Sequence, residues 1–405
     1  MMNILFLTIH KIEDISIKGI YTDLLRMFSK EGHHIYIVSP RERRDKQKTY
    51  LKDSENIHYL GVKTLNIKKT NIIEKGIGTV LLEYQFLNAI KKHLNNTKFD
   101  LILYSTPPVT LVKVINFIKQ RDSCFSYLML KDIFPQNAVD LGMIKPSSLF
   151  YKLFKKKESS LYNISDKIGC MSPANIEYLL KHNSFLSKEK VELCPNAIEV
   201  ENLKIPIDKE NLKKKYNIPK DVFAFIYGGN LGKPQGLMFL LDILSSNKNR
   251  KDRFFVIVGS GTEYSLLSDW FNKNQPNNAI LINNLPREEY DNLLQVCNAG
   301  LIFLDPRFTI PNYPSRLLSY LEYKMPVITA TDINTDIGQI AEKNGYGFSC
   351  LSGNLNKFNS IMDSFVENPD MADEMGMKGY NYLLNNYTVQ QAYNNIINSY
   401  KNRRS

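Results

Sequence analysis

The chain is short of the features that mark membrane-spanning, secreted or disulfide-stapled proteins. Its longest apolar runs, such as Phe99 to Ser105 and Phe223 to Tyr227, are strand-sized. They fall well below the ~20 apolar residues that a membrane-spanning helix requires. The N-terminus, MMNILFLTIHKIED, carries no basic leader and no small-residue cleavage site, so it reads as a first β-strand and not as a signal peptide. Cysteines are five, widely spaced, and never in a CxxC pair. Three of them, Cys124, Cys170 and Cys350, lie inside apolar stretches, which points to free thiols in a reducing compartment. Zinc-finger spacings, basic-region heptads and aromatic RNA-binding signatures are all missing, which sets nucleic acid aside as a partner.

What is present is a folded, basic chain. Its 405 residues exceed one ordinary domain and suit two of about 200 residues each. Hydrophobic residues make up 43% and charged residues 23%, the balance of a protein with a core. The formal net charge is +11, from 52 basic and 41 acidic side chains. An excess of that size suits an anionic partner, either a phosphate-bearing ligand or an anionic membrane.

Strand and helix alternate throughout. Met2 to Ile9 reads as a strand, and Lys18 to Gly32 as an amphipathic helix with Ile20, Leu24, Leu25 and Phe28 on one stripe. Further apolar strands are expected at His34 to Ser39, Phe99 to Ser105, Phe125 to Leu130 and Lys167 to Met171. After a polar stretch, Glu199 to Lys220, the rhythm restarts at Val222 to Tyr227 and continues to Pro326 to Thr329. The tail, Pro369 to Arg404, reads as two helical segments broken around Asn385 to Thr388. The expected fold class is α/β, with two doubly wound, Rossmann-like domains facing a central cleft. The expected boundaries are 1–200 for an N-terminal domain and 201–385 for a second domain of the same kind. Residues 386–405 form a C-terminal helix expected to pack back on the first domain.

Several segments can carry chemistry. FAFIYGGNLGKPQG reads as strand, glycine turn and helix. In an open α/β sheet such a turn lies at the carboxyl edge, where ligands bind. Gly228, Gly229 and Gly232 let backbone N–H groups approach an anion, Lys233 adds a point charge, and the helix after Pro234 offers its positive end. A plain strand-to-helix turn is the alternative. The segment is neither a Walker motif, since Pro234 follows Lys233, nor the dinucleotide fingerprint. FVIVGSGTEYSLL repeats the pattern with Gly259 and Gly261, where close packing is an equal explanation. In PNYPSRLLSYLEYKMPVIT, Ser315 is expected to cap a helix. Arg316 in its first turn opposes the helix dipole, a conflict that vanishes if a diphosphate sits there. Asp132 follows a buried strand and can accept a proton from a hydroxyl, or serve merely as a turn residue. SSLFYKLFKKKESSLY combines Phe150 and neighbouring apolar residues with Lys155, Lys156 and Lys157. It suits either an anionic membrane surface or a solvated domain edge.

In order, these motifs resemble the retaining glycosyltransferases of family 4, which have the GT-B fold. The likeness runs from KGIYTDLLRMFSKEGHHIYIVSP through KDIFPQNAVDLG, MSPANIEYL, CPNAIEVE, YGGNLGKPQG and VGSGTE to YPSRLLSYLEYKMPVI. It is most similar in flavour to bacterial enzymes that build O-antigen and capsule units on a polyprenyl diphosphate carrier. The resemblance implies a nucleotide-sugar donor, UDP-linked, carrying a hexose or N-acetylated amino sugar, and a lipid-linked saccharide acceptor. It places the donor diphosphate against Gly19, Gly229, Asn230, Gly232, Lys233, Ser315 and Arg316, and the base and ribose near Gly259, Asn284 and Leu285. Asp132, Lys233 and Arg316 become the catalytic set, and Phe150 with Lys155 to Lys157 the membrane side. It also implies transfer with retention by a cytoplasmic enzyme resting on the inner face of the cell membrane. No DxD triplet occurs, which fits metal-independent transfer without a cofactor.

The sequence departs from the family pattern in three places. The usual arginine after the glycine turn is Asn230, the paired glutamates around the third motif are Pro311 and Ser319, and Tyr323-Lys324-Met325 replaces a glycine-containing step. These departures keep two other readings open: a sugar-nucleotide epimerase or hydrolase on the same scaffold, and a catalytically silent sugar-nucleotide-binding partner.

Overall fold

The runs LILYS and FSYLML are buried at every position, which requires a sheet covered on both faces. The computed structural model describes residues 1–68, 70, 72–201 and 208–404 and supplies two such sheets. Residues 202–207, within the expected linker, and Ser405, the end of the expected C-terminal helix, lie outside the described residues. By its internal packing the chain divides into two units. Unit 1 comprises Met1–Glu199 and Thr388–Ser405, and unit 2 comprises Val200–Tyr387.

Unit 1 holds strands β1 (Asn3–Leu7), β2 (His34–Glu42), β3 (Tyr50–Ser54), β4 (Ile57–Thr64), β5 (Leu101–Ser105), β6 (Phe125–Leu130), β7 (Lys167–Cys170) and β8 (Val191–Leu193). Their order is β3-β4-β2-β1-β5-β6-β7-β8, parallel except for the β3–β4 pair. The helices are α1 (Ile20–Lys30), α2 (Ile72–His93), α3 (Val112–Asp122), α4 (Gln136–Asp140), α5 (Leu149–Ile164) and α6 (Pro173–His182). The strand order reverses between β1 and β5, so the loops after these two strands open a crevice at the sheet's carboxyl edge.

Unit 2 begins with α7 (Lys209–Lys215). Its strands are β9 (Phe223–Asn230), β10 (Arg253–Ser260), β11 (Ala279–Ile282), β12 (Ala299–Phe303), β13 (Val327–Thr331) and β14 (Gly347–Leu351). The order is β11-β10-β9-β12-β13-β14, and every pair is parallel. Helices α8 (Leu237–Asn247), α9 (Tyr264–Asn274), α10 (Arg287–Leu294), α11 (Arg316–Glu322), α12 (Ile337–Lys343), α13 (Leu355–Glu367) and α14 (Pro369–Asn386) cover it. Here the order reverses between β9 and β12, which puts the glycine turn after β9 at the switch point.

The break in the C-terminal tail has a local cause. Thr388 and Gln391 form a reciprocal capping box that starts α15 (Val389–Lys401). Val389, Ala392, Ile396 and Ile397 of α15 then join the core of unit 1 with Leu24, Leu25 and Phe28 of α1. All five cysteines are free; Cys350 is partly exposed and the other four are buried. Among the described residues, no helix is long and apolar enough to cross a membrane.

Candidate functional site

At the switch point of unit 2, β9 ends in Tyr227-Gly228-Gly229-Asn230. Gly229 has φ +128, and a Cβ there would lie 3.4 Å from Nη2 of Arg316. Only glycine suits that backbone. The neighbouring strand is fitted just as tightly. Gly259 stands in register with Gly229, and a Cβ on Gly259 would come within 1.8 Å of the Gly229 carbonyl oxygen. Close packing therefore accounts for Gly259 without a ligand. The Leu231 N–H donates to Ser260 O (2.9 Å) and Leu231 O accepts from the Glu263 N–H (2.9 Å), pinning the turn to the start of the next helix.

The helix expected directly after Pro234 starts later. Lys233–Gln235 is a single 3-10 turn, and Gly236, in the left-handed conformation, separates it from α8 at Leu237. The Asp305 N–H, at the end of β12, donates to Pro234 O at 3.0 Å and holds this turn against the other side of the switch point. Lys233 is exposed, and among the described residues no hydrogen bond or ion pair engages its ammonium. Asn230 is exposed as well.

Arg316 opens α11 and turns inward. Its Nη2 donates to Gln235 Oε1 at 2.7 Å, and its Cζ sits 4.3 Å from the centroid of the Tyr227 ring, a cation–π arrangement. The Tyr227 hydroxyl donates to Asn230 O (2.8 Å) and to Gln235 Oε1 (3.3 Å). Nη1 of Arg316 is buried without a partner. The titratable groups acting most strongly on this guanidinium are Tyr227, Tyr320 and Tyr290. A buried donor without an acceptor is costly, so this nitrogen marks a place for an acceptor. Asp305, whose N–H meets the turn at Pro234 O, has its carboxylate held instead by a bidentate pair to Arg307 (2.8 and 2.7 Å).

Ser315 does not cap α11. Its own backbone is already helical, at φ −66 and ψ −16, and its side chain makes no cap hydrogen bond; a capping serine needs an extended backbone to aim its oxygen at the next turn. Asn284 (φ +35) and Leu285 lie in the loop between β11 and α10, at the same carboxyl edge as the glycine turn.

In unit 1, Gly19 precedes α1 with an extended backbone (φ 174), and its N–H already donates to Asp23 Oδ1 at 2.8 Å. Asp132 stands two residues beyond β6. Asn137 Nδ2 donates to both of its carboxylate oxygens at 2.8 Å, and Thr106 Oγ1 donates to its carbonyl at 2.8 Å. Burial pushes the Asp132 carboxyl up to about 6. Beside it, burial pulls the Lys131 ammonium below its ordinary value. His10, in the loop after β1, has its imidazole lowered to about 4 by desolvation of the ring and by Lys68, although the residue keeps an exposed edge. Lys131, His10 and Gln235 were not singled out by sequence. Lys131 in KDIFPQNAVDLG and Gln235 in YGGNLGKPQG nonetheless lie inside motifs that were.

On α5, Ser148 caps the helix through the Tyr151 N–H. Lys155 pairs with Glu158 (2.5 Å) and Lys157 with Glu83 of α2 (3.0 Å). Exposed on the outer stripe are Leu149, Lys152, Leu153 and Lys156, with Phe150 beside them.

Residues 208–382 match the family described as glycosyl transferases group 1. Among curated proteins the chain is similar to WbjE of Pseudomonas aeruginosa, a probable glycosyltransferase, at 23% identity over 303 residues, 74% of each chain. Among solved structures it resembles sucrose-phosphate synthase from Thermosynechococcus elongatus, with TM-score 0.75 and 13% identity over 99% of both chains. It also resembles Anabaena HepE in complex with UDP and glucose, with TM-score 0.69 and 13% identity over 99% of this chain and 100% of that one. Residues 208–382 thus match the glycosyl transferases group 1, and the whole chain shares the GT-B fold of the solved glycosyltransferases it resembles.

Proposed function

We propose that this protein is a retaining glycosyltransferase that moves a sugar from a UDP-linked hexose or N-acetylated amino sugar to a polyprenyl-diphosphate-linked saccharide, in the synthesis of a cell-surface polysaccharide. The observation that carries the donor half is Arg316, whose buried Nη1 lacks a partner beside the glycine turn at the switch point of unit 2. In this reading the donor diphosphate takes that position. Lys233 closes on it from the exposed side, and backbone N–H groups of Gly229, Asn230, Gly232 and Ser315 complete the cradle. As the glycosidic bond breaks, negative charge grows on the leaving diphosphate, and fixed cations stabilise that charge without reorganising. Anabaena HepE, a structural neighbour, was solved with UDP and glucose, which supports UDP as the nucleotide. The base and ribose are assigned to the loop of Asn284 and Leu285.

The acceptor half is assigned to unit 1. Asp132 would take the proton of the attacking hydroxyl, because a carboxyl raised to about 6 is a stronger base than an ordinary one yet ionised near neutrality. The membrane side is assigned to α5 and α2. Leu149 is 83% exposed, Phe150 and Leu153 are exposed beside it, and α2 adds exposed Ile77, Val80, Leu81 and Tyr84. Lys152 and Lys156 flank the apolar stripe and face outward. Each basic side chain near an anionic bilayer contributes about 1 kcal/mol. Lys155 and Lys157 instead serve the ion pairs with Glu158 and Glu83.

UDP at 100 times its Kd should stabilise the protein by roughly 2.7 kcal/mol, read as a rise in melting temperature. Lys233→Ala and Arg316→Ala should lose that rise while folding normally. A protein indifferent to every nucleoside diphosphate would refute the donor assignment. The pH response of Asp132 has a defined sign. Because its folded value lies above the ordinary carboxylate value of about 3.9, its contribution to stability is complete below about pH 4 and is lost as pH rises through about 6. Asp132→Asn should therefore gain stability relative to the parent at pH 7 but not at pH 4, and its kcat should fall by about a hundredfold or more. Equal kcat in parent and variant would remove Asp132 from the reaction. Charge reversal at Lys152 and Lys156 should release the protein from anionic vesicles in a flotation assay. Undiminished flotation would take the membrane role away from this face.

A further inference from the structure

A guanidinium that binds a diphosphate must be both aimed and left charged, and most ways of aiming an arginine in proteins neutralise it. Carboxylates are the usual partners, since a fork-to-fork pair fixes the geometry strongly. Here the acceptor at Nη2 is a neutral amide oxygen, Gln235 Oε1, at 2.7 Å. Gln235 is itself buried and closely held. Its N–H donates to Gly232 O at 3.0 Å, the preceding Pro234 carbonyl accepts from the Asp305 N–H at 3.0 Å, and its Oε1 also accepts from the Tyr227 hydroxyl. The Tyr227 ring packs against the guanidinium, again without a formal charge. The one acid at this end of β12, Asp305, is occupied by Arg307. Arg316 is thus fixed by an amide and a ring, with Nη1 buried and unpaired.

We infer that Gln235 is a positioning residue that aims Arg316 at the donor's diphosphate while leaving its charge intact, and that this neutrality sets the preference for nucleoside diphosphates over monophosphates. The inference rests on the donor reading given above. A glutamate at the same place would keep the size and the hydrogen bond but add a carboxylate in contact with the cation. The charge available to the second phosphate would then be largely cancelled.

The test is calorimetric titration of the full chain with UDP, UMP and uridine, comparing the parent with Gln235→Glu and Gln235→Met. The parent should bind UDP more tightly than UMP. In Gln235→Glu the affinity for UDP should fall at least about tenfold, a change of 1.4 kcal/mol, while uridine binds as before and the ligand-free melting temperature is unchanged or higher. Gln235→Met keeps the bulk without the acceptor or the charge, and should fall between the two. It also carries the test if the glutamate variant does not fold. Equal UDP affinity in the parent and Gln235→Glu would overturn the inference alone, as would a loss shared equally by UDP and uridine. A parent that binds no nucleoside diphosphate would overturn the donor reading and this inference with it.

Discussion

The placement of one guanidinium organises the switch point of unit 2. Arg316 sits at the first position of α11, where a positive side chain opposes the helix dipole, and it points inward to the Tyr227 ring and the Gln235 amide. Taking a cation out of water is expensive unless something replaces its hydration. The ring and the amide replace part of it, and Nη1 is left over. A protein that only needed a stable turn could place a leucine here. Keeping an arginine makes sense when an anion arrives to complete its shell.

The rest of unit 2 can be read as support for that placement. Parallel strands with β9 and β12 flanking the order reversal bring the glycine turn and Asp305 to one edge. The Asp305 N–H ties down the Lys233–Gln235 turn, and that turn presents Gln235. Tight register between β9 and β10, with Gly259 against the Gly229 carbonyl, leaves little freedom for the loop to drift. Unit 1 offers a different kind of site. Burial shifts Asp132 and Lys131 toward their neutral forms, in contrast to the charged Arg316 of unit 2.

Much of the fold was legible because its central strands are continuous apolar runs, which only a doubly covered parallel sheet can bury. The region from residue 41 to 98 was not. β3 is a half-exposed, antiparallel edge strand with the sequence YLKDS, too polar to stand out. α2 carries apolar residues on its exposed side as well as its buried side, together with Gly76 and Gly78, so no stripe of helical period distinguishes it. Among the site residues, the glycine turn and Arg316 were readable from local anomalies, namely glycine density and a cation at a helix start. The expected Ser315 cap failed because one residue's backbone torsion decides a cap, and sequence does not set it. Gln235 was invisible in another way: its significance comes from a bond to a residue 81 positions away.

The central claim is that the donor's diphosphate completes the shell of Arg316. A crystal structure of the protein with UDP tests it most directly. The account predicts phosphate oxygens at about 2.7–3.2 Å from Arg316 Nη1 and from the backbone nitrogens of Asn230 or Gly232, with the Gln235 bond to Nη2 retained. UDP bound with its phosphates elsewhere, and Nη1 still unpaired, would contradict it.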